Sequence, residues 1–478
     1  MMHRRDFLGA AGAATVAGSV AAALAGSVTA TAASSTGAAT GPASIKIDSR
    51  HVHSDVTRKI PVDRARASGI LEELGLDGVI ALQPHNVFYL TNTRTTLTQF
   101  TDEYPAFATL PRDPDQPVFL ISSLGNTWTT SNGDRDVPEI ITFAGPANWR
   151  EYIGSPTDKM RVEPISIGPQ YHHPVRPGAT LTQREAGWKR DQDVYNTASA
   201  GSREWAVVHA LRQSGLIKGK VAVDDMRIAY LLQRIGIDSV TIVPGEDVFR
   251  RIRHIKTERE VETLRIAQRI TQESAMAAAR ALEPGMTFAD FQLRLFAEGT
   301  ARGGEPGFSL LGVTQGLLPD GVVKRGQSYL LDCSIHFDNY HGDFARTVMI
   351  GEPTAENLKR FKAQQLAREA AFEIIKAGVP FERVEQVARE TALKAGMPAG
   401  LPVFGLHSVG LQHGDDPLRL DVPFGVRDNH VLAENMVVTL DLPYIEIGSG
   451  AGHNEDMLRI TRNGYEILND PAGALVVV

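Results

Sequence analysis

The apolar positions change period several times along the chain. Between Val62 and Gly75 they recur at helical spacing, and Asp77–Leu82 then reads as a short buried strand. Val118–Ile121, Ile140–Phe143, Lys220–Val223 and Val240–Val243 read as further strands, with a helix near 226–235 between the last two. Pro164–Gly178 is loop-like. Helix and short strand alternate, which predicts a small α/β domain over residues 50–245. Beyond it the pattern lengthens. Lys256–Leu282 predicts a long amphipathic helix stopped by Pro284-Gly285, and Phe288–Ala301 a second helix. Ala355–Ala377 and Phe381–Ala395 repeat that pairing, with breaks at Leu282–Met286 and Ala377–Phe381. Strands are predicted at Tyr329–Phe337, Asp343–Ile350, Met436–Ile447 and Arg459–Thr461. The second domain, 246–478, thus reads as a weak internal repeat; two unrelated helical hairpins fit the same pattern.

Composition narrows the picture. A chain of 478 residues exceeds one ordinary core, and 42% hydrophobic residues exclude a wholly disordered chain. The net charge of -7, with no block of Lys and Arg, argues against nucleic-acid binding. The single cysteine, Cys333, excludes an intramolecular disulfide and a cysteine-rich zinc site.

The first residues read as an address. Arg4-Arg5 precede Asp6-Phe7-Leu8, an uncharged Ala/Gly-rich run to about Val28, and a small-residue cleavage site at Ala30-Thr31-Ala32. Residues 1–32 resemble a twin-arginine export signal, which implies a periplasmic or secreted protein with no stable membrane span after cleavage. An uncleaved anchor is the other reading. Residues 33–49 read as a flexible lead.

The candidate chemistry lies in the second domain. Asp332 reads as the end of an apolar strand, Tyr329-Leu330-Leu331, and Asp343 heads the next strand, so an antiparallel hairpin brings the two carboxylates together. Close carboxylates repel and need a proton or a cation between them. His407 sits in a Gly-flanked segment, Asp441 ends Val437-Val438-Thr439-Leu440, and Glu455 lies in His453-Asn454-Glu455-Asp456. Four acids and one imidazole on strands suit two divalent ions, Mn²⁺ first, with Fe²⁺, Co²⁺ or Zn²⁺ as alternatives. Taken singly, an Asp at a strand end is a turn former and a lone His a packing residue.

The set resembles the pita-bread metallopeptidase family of Xaa-Pro aminopeptidases, prolidases and methionine aminopeptidases. The resemblance rests on Leu331-Asp332 through Tyr340–Thr347, His407–Leu411, Thr439-Leu440-Asp441 and Asn454-Glu455-Asp456 with Arg459-Ile460-Thr461. Arg253–Glu260 looks like the family's entry into its first catalytic helix, and Asn86–Asn92 like a creatinase-type N-terminal domain. The implied fold is α+β, a C-terminal pita-bread domain behind a smaller α/β domain that closes over the site. The resemblance makes Asp332 a ligand of one metal, Asp343 and Glu455 bridges, and His407 and Asp441 ligands of the other. Two such ions hold a hydroxide between them as nucleophile and polarise a carbonyl. It also implies a homodimer and a short peptide or small amide as substrate.

Four positions depart from the family pattern. Asp441 stands where a Glu general base is usual, shorter by about 1.5 Å of reach. Gln315 occupies the place of an active-site His; it donates a hydrogen bond but no proton. His413 follows His407 by six residues where the family uses seven, and reads either as that second active-site His or as a loop histidine. His453 replaces an Arg. His341 reads as a barrel-face residue and Cys333 as packing. The leading expectation is an Xaa-Pro dipeptidase or aminopeptidase, with Asp441, His413 and Gln315 as its catalytic groups beside the metals. A metal-dependent lyase, a non-proline amidohydrolase and a non-catalytic binding module are the alternatives.

Overall fold

The structure is a computed structural model that describes residues 45–48, 50, 55–94, 106–123, 139–143, 174–200, 202–314, 316–317, 319–419, 426–427, 429–471 and 475–478. The leader, residues 164–173 and Gln315 lie outside them. Among the described residues no helix is long and apolar enough to cross a membrane. The Asp48 amide donates to the Ala301 carbonyl at 2.6 Å, so the end of the expected flexible lead is tied down.

The first half of the chain builds one sheet. Helix α1 (Arg64–Glu73) leads into β1 (Gly78–Ala81), then α2 (Pro84–Thr91), β2 (Ala106–Pro111), β3 (Phe119–Ser123) and β4 (Glu139–Phe143). Helices α3 (Gln183–Ala198) and α4 (Arg203–Gln213) precede β5 (Lys220–Val223), α5 (Arg227–Arg234), β6 (Thr241–Pro244) and α6 (Glu246–Arg253). The strand order is β4-β3-β2-β1-β5-β6, with β2 antiparallel to both neighbours and the other pairs parallel. Strand β2 is buried along its whole length, so it shows no period-2 signal.

The second half forms an eleven-stranded sheet covered on one face by helices. Helix α7 (Glu258–Ala279) starts at a reciprocal capping box between Thr257 and Glu260, and α8 (Phe288–Ala301) at one between Thr287 and Asp290. Strands β7 (Glu305–Leu311), β8 (Ser328–Phe337), β9 (Tyr340–His341) and β10 (Phe344–Met349) follow. Asp338 and Asn339, both at positive φ, make the two-residue β8–β9 turn that suits a twisted hairpin. Helices α9 (Ala355–Phe372) and α10 (Phe381–Lys394) precede β11 (Gly405–Ser408), the short pair β12 (Leu418–Arg419) and β13 (Val426–Arg427), β14 (Val437–Asp441) and β15 (Tyr444–Glu446). Strands β16 (Gly450–Gly452), β17 (Glu455–Thr461), β18 (Gly464–Ile467) and β19 (Leu475–Val477) complete it. The central path is β11-β14-β17-β10-β8-β16-β15.

Each helix pair covers its own half of this sheet. From α7 and α8, Ala275, Phe291 and Leu295 pack with Leu331, Cys333 and Phe344. From α9 and α10, Ala367, Val384 and Ala388 pack with Leu406, Val438, Leu440 and Leu458. This twofold arrangement is the physical form of the repeated helix pairing in the sequence. Between the halves the backbone ladder is thin: β10 and β17 share one register pair, Ala345 with Glu455. Buried Arg346 stitches that seam on the helix face, donating to the carbonyls of Ala345 (2.8 Å) and Glu455 (2.6 Å) and to Asp456 Oδ1 (2.9 Å).

Two expected elements differ. The strand expected over Met436–Ile447 is two strands, because Pro443 has no N–H to continue the ladder. Asp332 lies in the middle of β8, not at the end of a strand.

Gly342 sets the approach of β10 to α7. A Cβ there would meet the Thr271 hydroxyl and lie 2.5 Å from the Ala267 carbonyl oxygen. Gly342→Ala is expected to cost about 1–3 kcal/mol, as overpacking does, read as a lower urea midpoint. An unchanged midpoint would mean that α7 yields freely.

Candidate metal centre

Strand alternation decides which side chains face the helices and which face away. Leu331 and Cys333 of β8 enter the helix-covered core, so Asp332 points to the opposite face. Leu440 of β14 and Leu458 of β17 do the same, leaving Asp441 and Glu455 on the face of Asp332. Register then aligns them. Asp332 pairs with Ala345, Ala345 with Glu455, and Glu455 with Asp441, a row across four strands with one small residue in it. The adjoining row holds His407 opposite Thr439, with Asp343 just ahead of the Phe344–Cys333 pair.

The side chains converge. His407 Nε2 lies 3.3 Å from Asp441 Oδ2 and 3.7 Å from Asp343 Oδ2, and His413 Nε2 lies 3.0 Å from Asp343 Oδ2. Three overlapping groups have ligand atoms mutually within 4.8 Å: Asp343 with His407 and His413, Asp332 with His453 and Glu455, and His407 with Asp441 and Glu455. All five metal ligands expected from the sequence are among them. His407 can donate from Nδ1 to the Ser408 carbonyl at 3.2 Å, which leaves Nε2 as a ligand atom.

The donor set fits a cation. Asp332 Oδ1, both oxygens of Asp343 and Asp441 Oδ1 are buried without a hydrogen-bond partner among the described residues. Buried carboxylate oxygens left unpaired are costly unless a cation completes them.

Comparison with known proteins agrees with this geometry. Residues 262–462 match the profile of "Metallopeptidase family M24". They form an M24 metallopeptidase domain. A probable dipeptidase, PepE, of Mycobacterium tuberculosis is 28% identical over 309 residues, 63% of this chain and 78% of that protein. An Xaa-Pro dipeptidase of Pyrococcus horikoshii is 26% identical over 240 residues, 48% of this chain and 67% of that protein. The solved Xaa-Pro dipeptidase of Bacillus anthracis superposes with a TM-score of 0.61 at 16% identity, covering 87% of this chain and 99% of that one. That likeness shows the fold: the α+β pita-bread architecture expected from the sequence. The M24 domain makes the protein an enzyme of the metallopeptidase class.

Within the M24 domain the charges are unevenly shared. Burial first, then the Asp343 and Asp441 carboxylates, push Asp332 and Glu455 well above the usual carboxylate range. Burial pulls the His407 imidazole down, but Asp441 and Asp343 overcome it and lift it to about 10. Burial likewise pushes Asp441 up, yet the charge on His407 holds it well below the usual range.

The remaining sequence candidates separate. His413, the half-exposed member of the cluster, stands 5.0 Å ring to ring from Phe308, so it is part of the site and not a remote loop histidine. Its loop is anchored from afar. Fully buried Arg253 donates to Asp415 Oδ1 (2.6 Å), Gln412 Oε1 (2.5 Å) and Asn86 Oδ1, and Lys256 Nζ reaches Asp415 Oδ2 at 3.0 Å. His341 packs against His336 with ring centroids 4.0 Å apart and tilted by 52°, and lies outside the ligand groups. Cys333 is core. The position of Gln315 lies outside the described residues. In the sequence His453 marks a departure from the family's Arg, and its nearness to Glu455, two residues on, is the signal for a site role.

Ligation needs these groups deprotonated, and at pH 7 the metal-free protein holds a proton on His407, with Asp332 and Glu455 shifted in the same direction. Metal binding is therefore expected to release at least one proton and to tighten as pH rises through neutrality. Calorimetry at pH 7 in buffers of different ionisation heat reads that release, and a binding heat independent of buffer contradicts it.

Proposed function

We propose that this metallopeptidase is an exported two-metal hydrolase of short peptides that cleaves the bond before proline. The observation that carries the two-metal part is the row Asp332, Glu455 and Asp441, with Asp343 and His407 in the adjoining row. Asp332 would hold one ion, His407 and Asp441 the other, and Asp343 and Glu455 both. Bound there, the pair supplies Lewis acidity and makes water a nucleophile at neutral pH.

The other roles belong to the chain. Asp441, on the face of the other acids and 3.3 Å from His407, accepts the proton of the attacking water. His413, half-exposed and aimed at Asp343, donates a hydrogen bond to the oxygen where negative charge develops. Gln315 takes the place of a second donor. Proline specificity is supported by the Xaa-Pro dipeptidase relative from Pyrococcus horikoshii, and short substrates by the relative named a probable dipeptidase.

The chain from about Ala33, loaded with Mn²⁺, is tested on Xaa-Pro, Xaa-Pro-Yaa and matching Xaa-Ala peptides. Release of the first residue from the proline members alone is expected, and Asp343→Ala should lose at least about 100-fold with less bound metal. Cleavage of the alanine peptides at equal rate refutes proline specificity. Metal content unchanged in Asp343→Ala refutes the bridging role.

Export rests on the Arg4-Arg5 leader. Cell fractionation should find the wild type outside the cytoplasm and shortened, and Arg4→Lys with Arg5→Lys retained and full length. Equal distribution of the two refutes a twin-arginine route.

A further inference from the structure

We propose that His453 is itself a metal ligand, on the ion held by Asp332 and Glu455, so that each ion of the centre carries an imidazole. The inference rests on the two-metal reading above and adds a ligand to it. In the family pattern an Arg stands at this position, and a guanidinium has no lone pair to give a metal, whereas an imidazole is a common ligand.

Three observations meet at this side chain. First, a ring nitrogen of His453 and carboxylate oxygens of Asp332 and Glu455 lie mutually within 4.8 Å. A first-row cation with ligand bonds of about 2.0–2.2 Å closes such a triangle with small side-chain rotations. Second, the ring is 3% exposed, and its Nδ1 has no hydrogen-bond partner among the described residues. Nε2 lies 4.0 Å from Glu455 Oε2, beyond hydrogen-bond range. A buried imidazole with an unpartnered nitrogen beside two carboxylates has the surroundings of a metal ligand. Third, the backbone that carries it is fixed. The Thr347 hydroxyl donates to the His453 carbonyl at 3.0 Å and accepts from the His453 amide at 3.1 Å, holding the residue to β10 at the central seam.

The pairing has a chemical consequence. Without His453 the Asp332 ion has only carboxylate protein ligands, which suit Mn²⁺. An added imidazole shifts that site toward Fe²⁺, Co²⁺ or Zn²⁺. It also gives back part of the anchoring lost at Asp441, whose carboxylate shares the neighbouring ion and is one methylene short. The centre is then built from an exchange, with a ligand gained at 453 and reach lost at 441.

The test reads ligation directly in the full chain. Metal-free protein is titrated with Zn²⁺ and with Mn²⁺ by calorimetry, and the zinc-loaded form is examined by X-ray absorption for imidazole scattering. His453→Gln should lose one imidazole per pair of ions and weaken one of the two zinc sites by at least about 10–100-fold. Its preference for Zn²⁺ over Mn²⁺ should narrow, with the melting temperature of the metal-free form unmoved. In a second variant, His407→Gln with His413→Gln, imidazole scattering should persist, because His453 remains. Wild-type protein that binds fewer than two ions overturns the two-metal reading. Two bound ions with the same imidazole count and zinc affinities in His453→Gln overturn only the role of His453. Absence of imidazole in the double variant overturns it too, whether or not His453→Gln folds.

Discussion

The architecture of the second half is organised around a repulsion. Asp332, Asp343, Asp441 and Glu455 converge on one face of the sheet, and three of the four leave buried oxygens without hydrogen bonds. Asp332, Glu455 and His407 each hold a proton more tightly than the free group, which eases that repulsion in part. A cation relieves it more fully. Folding energy invested in the opposite, helix-covered face makes the arrangement tolerable: Leu331, Leu440 and Leu458 fix the strands whose intervening residues are the acids. The same alternation therefore builds the core and aims the site.

The two halves of the chain meet through charge as well. Arg253, at the end of α6, touches Asn86 of the first sheet's helix and Gln412 and Asp415 of the loop that carries His413. Asp415 is buried, but Arg253 and Lys256 together hold its carboxyl down at about 2. Such a buried network is costly to break once formed. It transmits the placement of the first half to the one site histidine that faces solvent.

Much of this was legible in the sequence, and for a definite reason. Strand periodicity and the ten-residue gap between Asp332 and Asp343 depend on local geometry, so that carboxylate pair is legible without a structure; the roles of His407, Asp441 and Glu455 come with the family resemblance, and the structure brings all five residues together. The limits of α8 and α10 lie close to those expected, because capping and stop signals are local too. What escaped was non-local or masked by its own burial. Strand β2, buried throughout, shows no alternation, and β7 carries Pro306 and Gly307 at a bulge, which reads as loop. The tie between Arg253 and Asp415 spans 162 positions. His453 escaped because a family pattern supplied an expectation of Arg there, and its burial beside Asp332 and Glu455 depends on how β17 lies against β10.

The thin seam between β10 and β17 gives the site a mechanical meaning. Asp332 and Asp343 belong to one half of the sheet, His407, Asp441 and Glu455 to the other, and next to the site the backbone ladder joins the halves at Ala345 and Glu455, with a second pair, Ser328 and Gly450, away from it. On the helix face Arg346 bridges the joint. On the other face the acids face one another across it. On the proposed metal reading, an ion seated between Asp332 and Glu455 would be a rivet through that join, and its binding energy would add to the cohesion of the two halves. Metal scarcity would then act on the endurance of the folded chain as well as on its turnover.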